Sequence, residues 1–407
     1  MKISKASFKE GLVWNYISIF FLAIGGMVFS FLIGYYYDAE TLGNFNLVFA
    51  YYTIFSQIGV WGCHMAVTRY ISEYSENREN ADLILTCGIL AVCIITIISG
   101  GILWVTCNFL LVDILADAVL ESVNPIILAV FFFSINKEYA VFQSMRNILI
   151  TVWIVIFVIL KVPGNRLSFC FTNTEIIIFI CAMSLIISKE KFRVRVSGEW
   201  IKKIVKFGTH IMPANIVLEL SARVDILCLS WVLKNEEMIG IYSFAALFGE
   251  GFYQLFVVVR RNINPLITQN FVKHRLGEFY LQLEREVRKK GYILGSVGLA
   301  AVIFVYRFLC FFMGDVNYYK GTLPLVIILV SIVCNMKSII FGNILSQTGY
   351  PIAESINNVV TVMANFLLNM LFIYKWGIVG AAAATGVSYF IFSLNQRLLV
   401  NRRLHIV

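Results

Sequence analysis

Hydrophobic residues along the chain occur in long unbroken runs, not in alternation with polar residues. An α-helix needs about 20 apolar residues to cross a bilayer, whereas a transmembrane β-strand shows about ten residues of alternating pattern. The runs here are long and unalternated, which favours helices that satisfy their own backbone hydrogen bonds. We predict twelve spans, near residues 12–35, 44–67, 83–107, 125–143, 146–160, 174–188, 207–233, 240–263, 292–313, 323–347, 352–374 and 377–399.

The first apolar run is predicted to be a retained span. It follows the basic segment MKISKASFKEG and extends from Leu12 to Tyr35, which is long for the hydrophobic part of a signal peptide. No small-residue cleavage site follows it.

Composition supports the same assignment. Of the 407 residues, 59% are hydrophobic and only 14% are charged, whereas a soluble domain carries about 25% charged residues. A water-soluble fold lacks the interior to bury so many aliphatic and aromatic side chains. We therefore predict an all-α polytopic membrane protein with about twelve transmembrane helices.

Lysine and arginine are concentrated in alternate connections between the predicted spans. They crowd the N-terminal segment, the links 189–206 and 264–291, and the C-terminal tail. Cytoplasmic loops carry such an excess, so both termini are predicted to face the cytoplasm. The net charge of +9 is mostly this bias. Its expected partner is the anionic lipid headgroup, and no nucleic-acid function is needed to explain it. The two long links are expected to be helical at the membrane surface.

A weak internal repeat predicts two halves. The segment ETLGNFNLVFA begins at Glu40 and EMIGIYSFAAL begins at Glu237; each has an acid, a glycine three positions later and an aromatic residue two positions after that. We predict two pseudo-symmetric six-helix bundles, residues 1–198 and 199–407, in the same orientation. Parallel repeats of this kind enclose a central cleft in some transporters, and the substrate site is expected there.

Charged residues inside the spans are the candidate site. The stretch LELSARVDILCLSW holds Glu219, Arg223 and Asp225, and a charge at mid-bilayer costs about 2.5–3.5 kcal/mol on insertion scales. Glu219 and Arg223 are four residues apart and are able to pair on one helix face. Such charges are retained where they meet a partner or a polar cavity.

We predict that cations among these residues line a cavity for an anionic substrate, since arginine grips phosphate in a bidentate manner and lysine supplies a point charge. The alternative is that each cation belongs to a structural ion pair or extends to the membrane surface. Glu250 is the candidate for carrying a coupling proton or sodium ion. The predicted substrate-binding set is Arg223, Lys337, Asp225, Arg69, Arg146 and Arg260.

No catalytic or metal chemistry is indicated. The four histidines show no metal-ligand spacing, and the nine cysteines contain no CxxC motif and lie mostly in apolar runs. No nucleophile and base or paired-carboxylate constellation stands out. We assign no catalytic residue, no metal and no cofactor.

The sequence resembles a known family of transporters. The segment DAETLGNFNLVFAYYTIFSQIGVWGCHMAVTRYISEY is similar to the first helical hairpin of polysaccharide-biosynthesis flippases, in the multidrug/oligosaccharidyl-lipid/polysaccharide exporter superfamily. Its second span typically has a glycine-containing turn followed by Arg-Tyr, matched here by Gly59, Gly62, Arg69 and Tyr70. The segment SARVDILCLSWVLKNEEMIGIYSFA resembles the seventh span of the family.

The resemblance implies a lipid flippase. The expected substrate is an undecaprenyl-pyrophosphate-linked oligosaccharide repeat unit, moved from the cytoplasmic to the outer face of the bacterial plasma membrane for O-antigen, capsule or exopolysaccharide synthesis by alternating access. A polymerase and a chain-length regulator of the same pathway are its implied partners. Two alternatives remain open: a multidrug or cation exporter of the same superfamily, and a polysaccharide polymerase. An exporter of cationic drugs favours acidic cavity residues, and a polymerase needs a sizeable external loop with catalytic groups.

Overall fold

The chain is helical throughout the part that the structure describes. The computed structural model describes residues 25–74, 78–105, 143–188 and 194–404, and no β-strand occurs within these ranges. The all-α prediction is therefore confirmed. The helices, numbered in chain order, are α1 (Gly25–Tyr36), α2 (Ala39–Val60), α3 (Cys63–Glu73), α4 (Arg78–Val105), α5 (Gln143–Ile159), α6 (Phe169–Ser188), α7 (Gly198–Leu233), α8 (Glu236–Val272), α9 (Leu276–Glu286), α10 (Tyr292–Met313), α11 (Thr322–Cys334), α12 (Met336–Ile340), α13 (Ile344–Gln347) and α14 (Pro351–Leu404).

Several segments are suited to a membrane. Within the described ranges, five are long and apolar enough to cross it by length and composition: Glu79–Val105, Glu236–Val272, Leu276–Met313, Val316–Cys334 and Pro351–Leu404. Large apolar side chains lie on the protein surface, with Phe304 70% and Phe311 71% exposed. Such an apolar surface suits lipid better than water. The predicted fourth span, near 125–143, and most of the first lie outside the described residues.

The chain divides into two compact units. One contains the described residues of Met1–Tyr35 and Met238–Val407, and the other is Tyr36–Glu237. In the first unit, α11 packs against both α10 and α14. In the second, α2 packs against α4 and α7, and α5 packs against α6. The predicted pair of six-helix bundles with a boundary between residues 198 and 199 stays a prediction.

The second predicted span is two helices joined by a break. Asp38 caps α2 by accepting the backbone N–H of Thr41 at 2.7 Å. The helix ends at Trp61 and Gly62, both with positive φ values of 50° and 70°. A Cβ atom at Gly62 would lie 2.7 Å from the carbonyl oxygen of Gly208 on α7. A glycine is thus required by both the backbone conformation and the close approach.

The tenth predicted span is also broken, into α11, α12 and α13. Irregular backbone at membrane depth is tolerated only where its polar groups are satisfied or face a cavity. Here the side-chain amide of Asn335 donates to Ser331 O at 2.9 Å, and Gln396 Nε2 donates to Phe341 O at 2.7 Å. Side-chain amides therefore add hydrogen bonds to backbone carbonyls at both interruptions, where Ser331 O and Phe341 O also accept backbone N–H groups.

The last two predicted spans are the two arms of α14. The backbone leaves helical geometry at Gly377, with φ 56° and ψ −133°, which agrees with the predicted boundary between 352–374 and 377–399. The second arm ends with Arg402 and Arg403 in its last turn.

Candidate functional site

Arg223 lies on α7 with its guanidinium against an aromatic ring. The guanidinium carbon is 4.8 Å from the ring centroid of Phe49 on α2. Among the described residues, Arg223 Nε is buried and has no hydrogen-bond partner. A buried donor without an acceptor costs about 1–3 kcal/mol, and the cation–π contact provides attraction but no acceptor atom. The Arg223 guanidinium is therefore suited to donate a hydrogen bond to an anionic oxygen of a ligand.

Glu219 does not pair with Arg223 in the structure, which corrects the expected pairing on the helix face. Its Oε1 instead accepts a hydrogen bond from Gln57 Nε2 of α2 at 3.1 Å. Gln57 thus engages the carboxylate, and the neighbouring guanidinium of Arg223 forms no ion pair within the described ranges. Asp225, two residues further along α7, is half-buried.

Arg146 belongs to a buried three-residue cluster. It pairs through Nε and Nη2 with the two carboxylate oxygens of Glu175 on α6, and Tyr52 of α2 donates its hydroxyl to Glu175 Oε1 at 2.7 Å. Arg146 is 8% exposed and Glu175 is fully buried. The cluster connects three helices of the unit Tyr36–Glu237. Sequence reasoning missed Glu175, although a single acid inside the apolar run of α6 is a detectable signal.

Lys337 lies on the short helix α12 and also has an acidic partner. Its Nζ is 2.7 Å from Glu284 Oε1 of α9 and 5.2 Å from the ring centroid of Tyr280. The pair is partly buried, with 29% of the Lys337 side chain and 18% of the Glu284 side chain exposed. Glu284 lies in the basic link 264–291 and is not among the predicted site residues.

Arg260 and Glu250 both lie on α8. The Arg260 guanidinium packs against the bare backbone of Gly342, where a Cβ atom would come within 2.6 Å of Nη1. Gly342 thus leaves space for Arg260 beside the break between α12 and α13. Glu250 is exposed on the surface of its unit, near the middle of α8.

Arg69 lies on α3 in a group of aromatic and basic side chains. Its guanidinium is 5.0 Å from the ring of Phe207, and Lys203 Nζ is 4.5 Å from the ring of Trp200 and 4.9 Å from that of Tyr70. Arg69 and Lys203 are exposed. The first turns of α7 therefore carry a cationic and aromatic surface that sequence analysis had assigned only to the basic link.

The predicted site residues are divided between the two units. Arg69, Arg146, Arg223 and Asp225 lie in Tyr36–Glu237, whereas Glu250, Arg260 and Lys337 lie in the other unit. Their joint role as substrate contacts stays a prediction. Within the described ranges, no three His, Cys, Asp or Glu side chains lie together in a way that could hold a metal ion.

Comparison with solved structures identifies the fold. A multidrug resistance MATE family transporter of the MOP superfamily, in an inward-facing conformation, superposes with a TM-score of 0.76 at 13% identity, covering 94% of each chain. The lipid II flippase MurJ, in an inward closed conformation, gives a TM-score of 0.71 at 16% identity, over 96% of this chain and 87% of MurJ. The MATE multidrug transporter DinF-BH gives 0.60 at 14% identity, covering 98% and 96%. The predicted fold of about twelve membrane helices is confirmed by these matches.

Sequence comparison gives a family-level result. No curated protein sequence matches the chain significantly. The sequence profile of the family described as "Polysaccharide biosynthesis protein" matches residues 8–271, which is well over half of the chain and includes Arg69, Arg146, Arg223 and Glu250. The chain therefore belongs to the polysaccharide biosynthesis protein family of membrane transporters and flippases.

Proposed function

We propose that the protein moves a polyprenyl-pyrophosphate-linked oligosaccharide from the cytoplasmic to the outer face of the bacterial plasma membrane, for O-antigen, capsule or exopolysaccharide synthesis. Family membership supports the pathway, and the surroundings of Arg223 support the chemistry of the substrate. The main support is the state of Arg223. Its partly buried guanidinium lies over Phe49, and its Nε has no acceptor among the described residues. The neighbouring acid, Glu219, is engaged by Gln57.

The energetic barrier to moving such a substrate across the membrane comes from its polar headgroup. A charged pyrophosphate and its sugars must cross about 30 Å of hydrocarbon, while the polyprenyl tail is stable in lipid. A cation inside the membrane-spanning part lowers the cost of bringing the pyrophosphate across, because it replaces part of the lost hydration with charge-assisted hydrogen bonds. On this proposal Arg223 contacts the pyrophosphate, the predicted cations other than the buried Arg146 contribute to its path, and Glu250 carries the coupling ion.

The cellular setting follows from the same proposal. Both termini face the cytoplasm, where the lipid-linked unit is assembled, and a polymerase and a chain-length regulator act on the product at the outer face. The protein acts as a transporter and makes or breaks no covalent bond in the substrate.

The test uses cells in which the chromosomal copy is deleted and plasmid-borne variants are supplied. Arg223→Ala is expected to lower surface polymer at least tenfold and to accumulate lipid-linked oligosaccharide inside the cell, because removing a charged hydrogen bond costs about 1.5–3 kcal/mol. Lys375→Ala is the matched control, since Lys375 is an exposed cation beside Trp376. Membrane levels of each variant are measured by immunoblot.

Two results would contradict the proposal. Normal polymer from Arg223→Ala at a normal membrane level removes Arg223 from the substrate path. Unchanged surface polymer in the deletion strain itself removes the proposed pathway.

Export of cationic drugs is a second candidate, favoured by the exposed carboxylate of Glu250 within a membrane-crossing helix. The same deletion strain distinguishes the two functions. Export predicts increased susceptibility to cationic dyes with normal surface polymer, and Glu250→Gln would reproduce that susceptibility.

A further inference from the structure

Two adjoining cavities form an apolar groove at the start of α14. Their volumes are about 360 Å³ and 350 Å³, and both are lined by Pro351, Ile352 and Ile356. One extends along the helix to Val360, and the other extends to Leu399 and Arg403 on the second arm. We call this surface the α14 groove. It lies entirely within one unit of the protein.

The body of the groove is apolar and open. Ile352 is 76% exposed and Ile356 is 57% exposed, although both lie on a helix that is long and apolar enough to cross the membrane. Side chains of this kind need an apolar neighbour, and in a bilayer that neighbour is a hydrocarbon chain.

One end of the groove carries a cation. The Arg403 guanidinium is 5.6 Å from the ring centroid of Tyr350, and both residues line the second cavity. The cation–π contact holds the guanidinium in place while its N–H donors keep their capacity for an acceptor. Glu354, on the first turn of α14, lines neither cavity and accepts the backbone N–H of Ser346 at 2.9 Å.

An apolar groove with a cation at one end is complementary to a lipid that has an anionic headgroup. We propose that the α14 groove binds one anionic phospholipid, with an acyl chain along Ile352 and Ile356 and the phosphate at Arg403. A guanidinium pairs with a phosphate through two parallel hydrogen bonds, and basic residues at the end of a spanning helix lie at the level of the headgroups. The site is separate from Arg223 and does not rest on the proposed transport function.

The experiment measures lipid retention by native mass spectrometry of the purified full-length protein. The protein is titrated in detergent with phosphatidylglycerol or with phosphatidylcholine of the same acyl chains. We expect wild type to retain one phosphatidylglycerol at about tenfold lower lipid concentration than phosphatidylcholine, a ratio equivalent to about 1.4 kcal/mol. Arg403→Gln is expected to remove this preference.

Arg402→Gln is the matched control, because Arg402 is the adjacent exposed cation on the same helical turn and lines neither cavity. It is expected to retain the preference of wild type. Ile356→Trp, which fills the groove, is expected to weaken retention of both lipids. All variants are first compared with wild type by size-exclusion profile and melting temperature.

Three outcomes would overturn the proposal. The first is equal retention of both lipids by wild type. The second is an equal loss in Arg402→Gln and Arg403→Gln, which would indicate a diffuse charge effect. The third is displacement of the bound phosphatidylglycerol by undecaprenyl monophosphate added at equal concentration in a further titration, which would assign the groove to a polyprenyl lipid.

Discussion

At the scale of single residues, two arginines of the same unit illustrate how a charge is accommodated among apolar helices. Arg146 is buried against Glu175, which also accepts a hydrogen bond from Tyr52. Arg223 lies over Phe49, and its buried Nε has no acceptor among the described residues. The first arrangement satisfies the cation within the protein, whereas the second leaves a donor for an external anion. We therefore expect mutation of Arg146 to act mainly through stability and mutation of Arg223 mainly through transport.

The buried pair gives a prediction about stability. Arg146→Met leaves Glu175 as an uncompensated buried carboxylate, and breaking a buried pair in this way costs about 3–5 kcal/mol. We expect a large fall in melting temperature in detergent, and much of it should be recovered in the double variant Arg146→Met/Glu175→Met, which removes both charges.

The control for this prediction is the exposed ion pair between Arg195 and Glu79, at 2.9 Å and with side chains 47% and 61% exposed. Exposed pairs contribute about 0–1 kcal/mol, so Arg195→Gln should change the melting temperature little. Equal effects of Arg146→Met and Arg195→Gln, or additive losses in the double variant, would show that the buried pair does not stabilise the three-helix contact.

At the scale of helices, the break between α2 and α3 depends on a contact with α7. A Cβ atom on Gly208 would lie 2.3 Å from the carbonyl oxygen of Trp61, and Trp61 also donates its indole N–H to Thr209 at 2.9 Å. The left-handed backbone at Trp61 is therefore held by α7 on two sides. The break between α2 and α3 can approach α7 this closely because neither Gly62 nor Gly208 carries a side chain.

This contact predicts different effects for two glycines of the same helix. Gly208→Ala places a methyl group against backbone atoms that cannot move aside cheaply, and overpacking of this kind costs about 1–3 kcal/mol. Gly198→Ala, at the start of α7, meets no atom within 4 Å and should leave stability unchanged or slightly raised. Thermal unfolding in detergent compares the two, and a Gly208→Ala protein as stable as wild type would mean that the helices separate without penalty.

The sequence predicts where helices occur much better than where they break. Runs of about 20 apolar residues locate α4 and both arms of α14, since length and hydrophobicity are local properties. The breaks at Gly62 and at Phe341 depend on Gly208 and Gln396, which are distant in sequence. The same limit applies to the site: rare charges in apolar runs pointed to Arg223 and Lys337, but Phe49 and Glu284 became identifiable as their neighbours only in the folded chain.

At the scale of the whole molecule, the two related segments begin their helices in the same way. Glu40 lies in the first turn of α2 and Glu237 in the first turn of α8. The glycine and the aromatic residue that follow are buried in both copies, as Gly43 with Phe45 and Gly240 with Tyr242. The shared pattern of an acid in the first turn followed by a buried glycine and a buried aromatic residue agrees with an internal repeat, in which each copy packs the start of a helix by the same means.

Helix parity and charge together predict the orientation of the chain. Three helices, α6 to α8, separate the connection at 164–166 from the turn at His274. Four predicted crossings separate that turn from the C-terminus: α10, the broken helix α11–α13 and the two arms of α14. An odd number of crossings changes the side of the membrane and an even number preserves it. Parity therefore predicts that His274 and the C-terminus share one side of the membrane, opposite residue 165, and the lysine and arginine excess predicts that this side is the cytoplasm.

Reporter fusions test the two parts of this argument separately. Green fluorescent protein fused after Val407 is expected to fluoresce, alkaline phosphatase inserted at Asn165 is expected to be active, and phosphatase inserted at His274 is expected to be inactive. Phosphatase activity at both Asn165 and His274 would contradict the odd number of crossings between them. Activity at His274 alone, with a dark C-terminal fusion, would keep the helix count but reverse the membrane orientation. The basic surface around Arg403 would then face the outer leaflet, where the proposed substrate is released, and not the cytoplasmic leaflet, where it is loaded.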